Sequence, residues 1–104
     1  MINSGGLKIY PEEVENLLYL NAKIKEAAII GRPDDRWGET VTAVVVLRPG
    51  ETMTEDEVIQ YCRENLASYK KPTKVIFTAS LPRNASGKVK KNELRDRLVK
   101  GELR

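Results

Sequence analysis

There is no histidine in this chain of 104 residues, and there is only one cysteine, Cys62. Those two absences remove several chemistries at once. A lone thiol excludes an internal disulfide, and without imidazole there is no Cys–His or Ser–His nucleophile and no ligand set of the kind zinc or haem takes. No metal site is expected. No apolar run approaches the roughly 20 residues that cross a bilayer, and Met1-Ile2-Asn3-Ser4 has neither the basic nor the apolar region of a signal peptide. A cytoplasmic location with no membrane span is the resulting expectation. Aromatic residues are scarce, at 6%, and the net charge is only +3. With acids such as Glu93 and Asp96 spread through the helical segments, a broad nucleic-acid face is disfavoured. Repeats, low-complexity segments and linker-like stretches are also missing, so positions 1–104 read as one domain.

What is present describes an ordinary globular domain, 40% hydrophobic and 32% charged. A chain of this size buries roughly two thirds of its unfolded surface, enough for one modest core. Ser4-Gly5-Gly6 leads into the short alternating stretch Leu7–Tyr10, a hairpin-like region with the glycines at a turn. Pro11 suits the first position of a helix, Glu12 and Glu13 suit its positive end, and Val14, Leu17 and Leu18 recur at helical spacing to about Asn21. Ile24–Ile30 reads as a strand closed by Gly31 and Pro33. Val41–Leu47 reads as a strand buried on both faces and ended by Pro49-Gly50. Thr54 and Glu57 spell a capping box, and Val58, Ile59, Cys62 and Leu66 then share a face, predicting a helix over Thr54–Leu66 with Cys62 as packing. Lys74–Thr78 is a third strand, and Asn92 is placed to cap a last helix in which Leu94 and Leu98 share a face. The expected fold is α+β: a small mixed sheet of about three strands covered by helices, with the extra hairpin near the N-terminus.

Between the third strand and the last helix lies Leu81-Pro82-Arg83-Asn84-Ala85-Ser86-Gly87-Lys88-Val89-Lys90-Lys91. Pro82, Asn84, Ser86 and Gly87 are turn residues, each for its own reason, and Arg83, Lys88, Lys90 and Lys91 give the loop four cations and no acid. By physics alone this is an anion site. A Walker-type phosphate loop is excluded, because Pro82 stands where the first glycine belongs and valine follows the lysine. A free-standing basic module for nucleic acid or another polyanion is the alternative that charge alone permits. Trp37 reads either as a cap on the core beside Gly38 or as a ligand contact, and Tyr69 divides in the same way.

Four strings in order carry a resemblance. They are Ser4-Gly5-Gly6-Leu7-Lys8-Ile9-Tyr10-Pro11-Glu12-Glu13-Val14-Glu15, Gly31-Arg32-Pro33-Asp34-Asp35-Arg36-Trp37-Gly38-Glu39, Leu66-Ala67-Ser68-Tyr69-Lys70-Lys71-Pro72 and Leu81 through Val89. Together they resemble the mobile C-terminal domain of the adenylate-forming enzymes, the superfamily of acyl-CoA synthetases, peptide-synthetase adenylation domains and luciferase. The third string and the long loop before Lys88 are most similar to the acyl-CoA synthetase branch.

That resemblance implies an AMP-forming acid–thiol ligase working in two steps. A carboxylate, expected to be a fatty acid, attacks the α-phosphate of ATP, which arrives with magnesium; coenzyme A then displaces AMP. It implies a large N-terminal ATP- and acyl-binding domain as partner, a hinge residue preceding Met1, and a chain that is inactive, with no tightly held cofactor, when isolated. Lys88 matches the adenylation lysine, whose ammonium would compensate two approaching anions. A positioned donor of this kind is worth about 3 to 4 kcal/mol. Gly5 and Gly6 match the glycine loop that lines the pantetheine channel, and Trp37, Tyr69 and Lys71 match positions that meet the nucleotide end of coenzyme A. Where many relatives carry an acidic residue and asparagine after the glycines, this chain has Leu7-Lys8. Pro82 followed by Gly87-Lys88 also resembles the pattern read by protein lysine acetyltransferases that silence this family.

Overall fold

From Val41 to Val46 every residue is buried, and the rest of the chain is arranged about that strand. The computed structural model describes residues 1–99. Strand β4 (Gly38–Leu47) is central, and β3 (Ile24–Asp34) lies antiparallel along one side of it, in one register from Glu26↔Val46 to Asp34↔Gly38, with a shift between Glu26 and the outlying Ile24↔Leu47 pair. The other side is shared. β5 (Lys74–Phe77) runs parallel to β4 opposite Thr42–Val45, whereas β1 (Ile2–Ser4) meets it only at Ser4↔Gly38. β2 (Leu7–Ile9) folds back on β1 through Gly5-Gly6, with φ of +59° and +83°. Two consecutive positive φ values make the primed turn whose twist suits a hairpin, and glycine adopts them without strain. The hairpin therefore joins the main sheet, giving five strands where about three and a separate hairpin were expected. β1 is only three residues long, too short to show a period.

Alternation along the strands sorts side chains into two cores. Ala27, Ile29, Val41, Ala43 and Val45 pack with residues of α1 (Pro11–Tyr19) and α2 (Glu55–Asn65). Ala28, Ile30, Val44 and Val46 pack with Leu81 and with Leu94 of α3 (Lys91–Val99). Because helices cover both faces, the central strand reads as a continuous apolar run. The two halves of the capping box close at the start of α2: Glu57 N–H donates to Thr54 Oγ1 at 3.1 Å and Thr54 N–H to Glu57 Oε1 at 3.0 Å.

Three boundaries differ from expectation. Gly31 and Pro33 do not close β3, which runs on to Asp34 opposite β4. Proline is tolerated because β3 is an edge strand and its nitrogen needs no ladder partner. At Gly31 the end of the Glu39 side chain lies where a Cβ would stand, so a larger residue there would displace that carboxylate. α1 stops at Tyr19, short of Asn21, in short-range bonds from Leu20 N–H to the Leu17 carbonyl and from Asn21 N–H to that of Leu18. Asn92 does not cap α3, which already includes Lys91; its Oδ1 instead accepts from Arg95 Nη1 at 3.0 Å.

β3 and β5 each leave one side without a neighbouring strand. Glu15 of α1 accepts from Ile29 N–H at 2.8 Å on the first, and Glu55 of α2 accepts from Val75 N–H at 2.7 Å on the second. One buried polar side chain, Thr42, has no hydrogen-bond partner for its hydroxyl among the described residues.

Candidate functional site

The loop after β5 is a closed turn with Lys88 at its end. Asn84 organises it: Oδ1 accepts from Ser86 N–H at 3.0 Å, Ser86 Oγ–H at 2.7 Å and Lys88 N–H at 3.0 Å. Asn84 N–H donates to the Lys88 carbonyl at 2.9 Å, Gly87 N–H to the Asn84 carbonyl at 3.0 Å, and Lys90 N–H to the Pro82 carbonyl at 2.8 Å. A side chain that bonds its own nearby backbone is what asparagine offers to a turn. Gly87, at φ +87°, takes the backbone angle that other residues avoid.

The four cations of the loop are not equivalent. Arg83 pairs with Glu26 of β3, through Nε at 3.0 Å and Nη2, while its Nη1 donates to the Gly87 carbonyl at 2.6 Å. The hydrogen bond donated to Glu26 pushes the guanidinium further up from its ordinary value, partial loss of solvent opposes this, and the Tyr19 hydroxyl adds to it. Lys91 reaches Glu15 at 2.7 Å. Lys88 is exposed and makes no ion pair among the described residues. Two of the loop's four charges are thus neutralised by acids distant in sequence, and the field that remains belongs to Lys88 and Lys90.

A groove of about 420 Å³ lies at another corner of the sheet. Ser4, Gly5 and Leu7 form one wall, Trp37 and Thr40 the next, and Tyr69, Lys71 and Thr73 the third. The segments meet because β1 and β5 share one side of β4, and Thr73 N–H secures the third wall by donating to the Val41 carbonyl at 2.9 Å. Leu7, Trp37 and Tyr69 are 48%, 47% and 43% exposed, so the groove offers apolar surface to solvent. Trp37 is held by its backbone: Asp34 Oδ1 accepts from Trp37 N–H at 2.9 Å, and the Trp37 carbonyl accepts from Gly5 N–H at 2.8 Å. Arg36 stacks over the indole at 5.0 Å, and a Cβ on Gly5 would lie 2.9 Å from Trp37 Cε3. Nothing lies within 4 Å of where a Gly6 Cβ would stand. Lys70, next to Tyr69, is tied to Glu13 at 2.7 Å, and that hydrogen bond pushes its ammonium up. A larger depression of about 790 Å³ beside α2, with charges of both signs from Lys23, Asp56, Glu57, Arg63 and Glu64, contains none of the predicted residues.

Gly5, Trp37, Tyr69 and Lys71 are therefore brought together, Gly6 adjoins them in the turn, and Lys88 is elsewhere. The Lys88 turn is fastened to Glu26, opposite Val46, whereas Trp37 sits beyond the Asp34↔Gly38 pair. Glu26 and Asp34 are eight residues apart along β3, about 26 Å at ~3.3 Å per residue. The turn also attaches to the β3 side of the sheet and the groove to the β5 side. Lysine and groove occupy diagonally opposed corners. Chemically, the groove suits a flat heteroaromatic group carrying phosphate, and the lysine suits an anion. Sequence reasoning missed Glu26 and Glu15 as anchors and Arg36 as the stack on Trp37. Only Arg36 left a local signal, being adjacent to the indole; Arg83 and Glu26 are separated by 57 positions.

Comparison with known proteins gives the chain a family. Residues 13–88 match the family described as AMP-binding enzyme C-terminal domain. The chain is 52% identical over 96 residues to a methyl-dioxo-octahydro-indenyl propanoyl:CoA ligase of Rhodococcus jostii, covering 92% of this chain and 19% of that protein. It is 44% identical over 96 residues to the long-chain-fatty-acid–CoA ligase FadD13 of Mycobacterium tuberculosis, with the same coverage. The solved structure of a Mycobacterium tuberculosis fatty acyl CoA synthetase superposes with a TM-score of 0.90 at 42% identity, over 97% of this chain and 20% of that one. The chain spans about a fifth of the length of the curated relatives it matches. With a family match over most of its length and ligases for coenzyme A among its relatives, this chain belongs to the AMP-binding enzyme C-terminal domain family.

Proposed function

We propose that this chain is the C-terminal domain of an AMP-forming acyl-CoA ligase, a single unit over 1–104 that completes the active site of a larger ATP- and acyl-binding domain. The observation that carries this reading is the diagonal placement of Lys88 and the groove. No small ligand touches both corners at once, so two half-reactions at one active centre require the domain to present each corner in turn.

In the first step a carboxylate oxygen attacks the α-phosphorus of ATP and pyrophosphate leaves with its magnesium. Lys88 supplies an ammonium to the carboxylate and the α-phosphate as they approach, offsetting charge that persists through the transition state. In the second step the thiol of coenzyme A attacks the acyl carbon and AMP leaves. The groove then faces the active centre: Trp37 and Tyr69 offer flat faces to the adenine, Lys71 a cation to phosphate, and the bare backbone at Gly5 and Gly6 allows close approach of the pantetheine arm. The acid is a carboxylic acid of the fatty-acid class, a reading supported by the long-chain-fatty-acid ligase among the relatives, whereas others are named for succinylbenzoate, indoleacetate and oxalate. The reaction takes place in the cytoplasm, and the isolated domain has no ligase activity. Lys88 is also the acceptor for a protein lysine acetyltransferase, because acetylation would remove the one charge the first step uses.

The test is to split the half-reactions. In the full-length ligase, Lys88→Ala should abolish ATP–pyrophosphate exchange while thioester formation from supplied acyl-adenylate survives. Equal loss of both would contradict the assignment, as would AMP release by the isolated chain given ATP, fatty acid and coenzyme A.

A further inference from the structure

We propose that Arg83 is the positioning residue for Lys88 and that Glu26 anchors it, an inference that rests on Lys88 serving adenylation. A lysine carries its ammonium on a flexible four-carbon stem, so what the fold can fix is the origin and direction of that stem. The last rigid unit before it is the Gly87–Lys88 peptide plane. Both of its polar groups are held: the Gly87 carbonyl accepts from Arg83 Nη1 at 2.6 Å, and Lys88 N–H donates to Asn84 Oδ1 at 3.0 Å. A planar peptide held at both its oxygen and its nitrogen keeps only rotation about the line through those two atoms.

The restraint is needed at this position. Gly87 sits at φ +87° and, without a Cβ, is the residue in the turn freest to rotate. Asn84 ties the turn only to itself, whereas Arg83 ties it to the sheet. The guanidinium forks, with Nε and Nη2 on one oxygen of Glu26 and Nη1 on Gly87, and Glu26 is fixed in β3 opposite Val46. The side chains of Arg83 and Glu26 are 38% and 21% exposed, and a pair so placed contributes little to overall stability. Its effect is on direction. A residue that aims another should alter the turnover of one half-reaction without altering the other.

The experiment uses the full-length ligase with three changes: Arg83→Met, the exchange Glu26→Arg with Arg83→Glu, and Lys88→Ala as reference. Arg83→Met should lower kcat for ATP–pyrophosphate exchange by about 10- to 100-fold, the cost of a reacting group misplaced by an ångström or so. KM for ATP and thioester formation from supplied acyl-adenylate should stay unchanged. The exchange restores the ion pair, but a carboxylate has no proton to give the Gly87 carbonyl, so adenylation should remain low. Wild-type exchange activity in Arg83→Met, equal loss of both its half-reactions, or recovery of adenylation in the exchanged pair would each overturn the proposal. An exchange variant that loses both half-reactions has not folded, and Arg83→Met then decides alone. The reference separates two failures. Adenylation that survives Lys88→Ala removes the parent reading, whereas adenylation that survives only Arg83→Met removes the positioning role alone.

Discussion

Replacing Gly5 by alanine should cost more than replacing Gly6, although both glycines stand in one turn with positive φ. An L-residue in the left-handed region costs about 1–2 kcal/mol, and that charge falls on both positions. At Gly6 it is the whole cost, since nothing lies within 4 Å of the added methyl. At Gly5 the methyl arrives 2.9 Å from Trp37 Cε3, so the indole must move and give up its stack with Arg36, an exposed cation–π contact worth about 0.5–1 kcal/mol. Gly5→Ala should therefore lose roughly 2 kcal/mol or more, on the order of 10 °C in Tm for a domain of this size. Trp37 is the chain's only tryptophan, so its emission reports on this corner alone. Urea denaturation followed by that emission and by far-UV circular dichroism should show the native emission altered in Gly5→Ala and unaltered in Gly6→Ala. Gly5→Asn, which tolerates the turn angles but carries a Cβ, should shift the emission at a smaller cost in stability. Equal destabilisation by the two alanines, or an unchanged Trp37 spectrum in Gly5→Ala, would refute the reasoning.

Three further outcomes are expected. Thr54→Ala removes one half of the capping box and should lower unfolding free energy by about 1 kcal/mol in urea titration; no loss would mean that solvent satisfies the Glu57 N–H equally well. Thr42→Val replaces a buried hydroxyl that has no partner among the described residues and should be neutral or stabilising by about 1 kcal/mol; destabilisation would show that the hydroxyl is bonded. Alkaline pH should destabilise the chain: burial pushes the Cys62 thiol up to about 11 from 9.0, and Tyr61 and Lys70 are raised as well. Groups whose pKa is higher when folded hold protons that the unfolded chain releases, so stability is full below about pH 9 and falls as pH climbs through 11. A melting temperature that is flat from pH 8 to 11 would contradict this.

Some of this molecule can be read from short stretches and some cannot, for physical reasons. The capping box is two residues three apart, and Val41–Val46 states its own burial, so both were legible. β3 runs past Gly31 and Pro33 because it has a partner strand there, pairing as far as Asp34↔Gly38, which the local residues do not announce. The basic loop shows the opposite limit. Its residue types announce an anion site, but the acids that silence Arg83 and Lys91 come from β3 and α1. That subtraction, which leaves Lys88 and Lys90, exists only in the folded chain. The groove draws on three separated segments, and the residues were recognisable there as strings resembling a family before any spacing could bring them together.

Glu15 and Glu55 carry a consequence for how this molecule keeps company. A sheet with open sides is a template, and any passing chain with an extended segment can lengthen it. A domain proposed to swing away from its partner and return exposes its flanks at every turnover, in a crowded solution of copies of itself. By occupying one outward N–H on β3 and one on β5, the two carboxylates close these positions of the sheet to growth. Encounters are turned toward helices, the groove and the lysine corner, where contact has a chemical purpose.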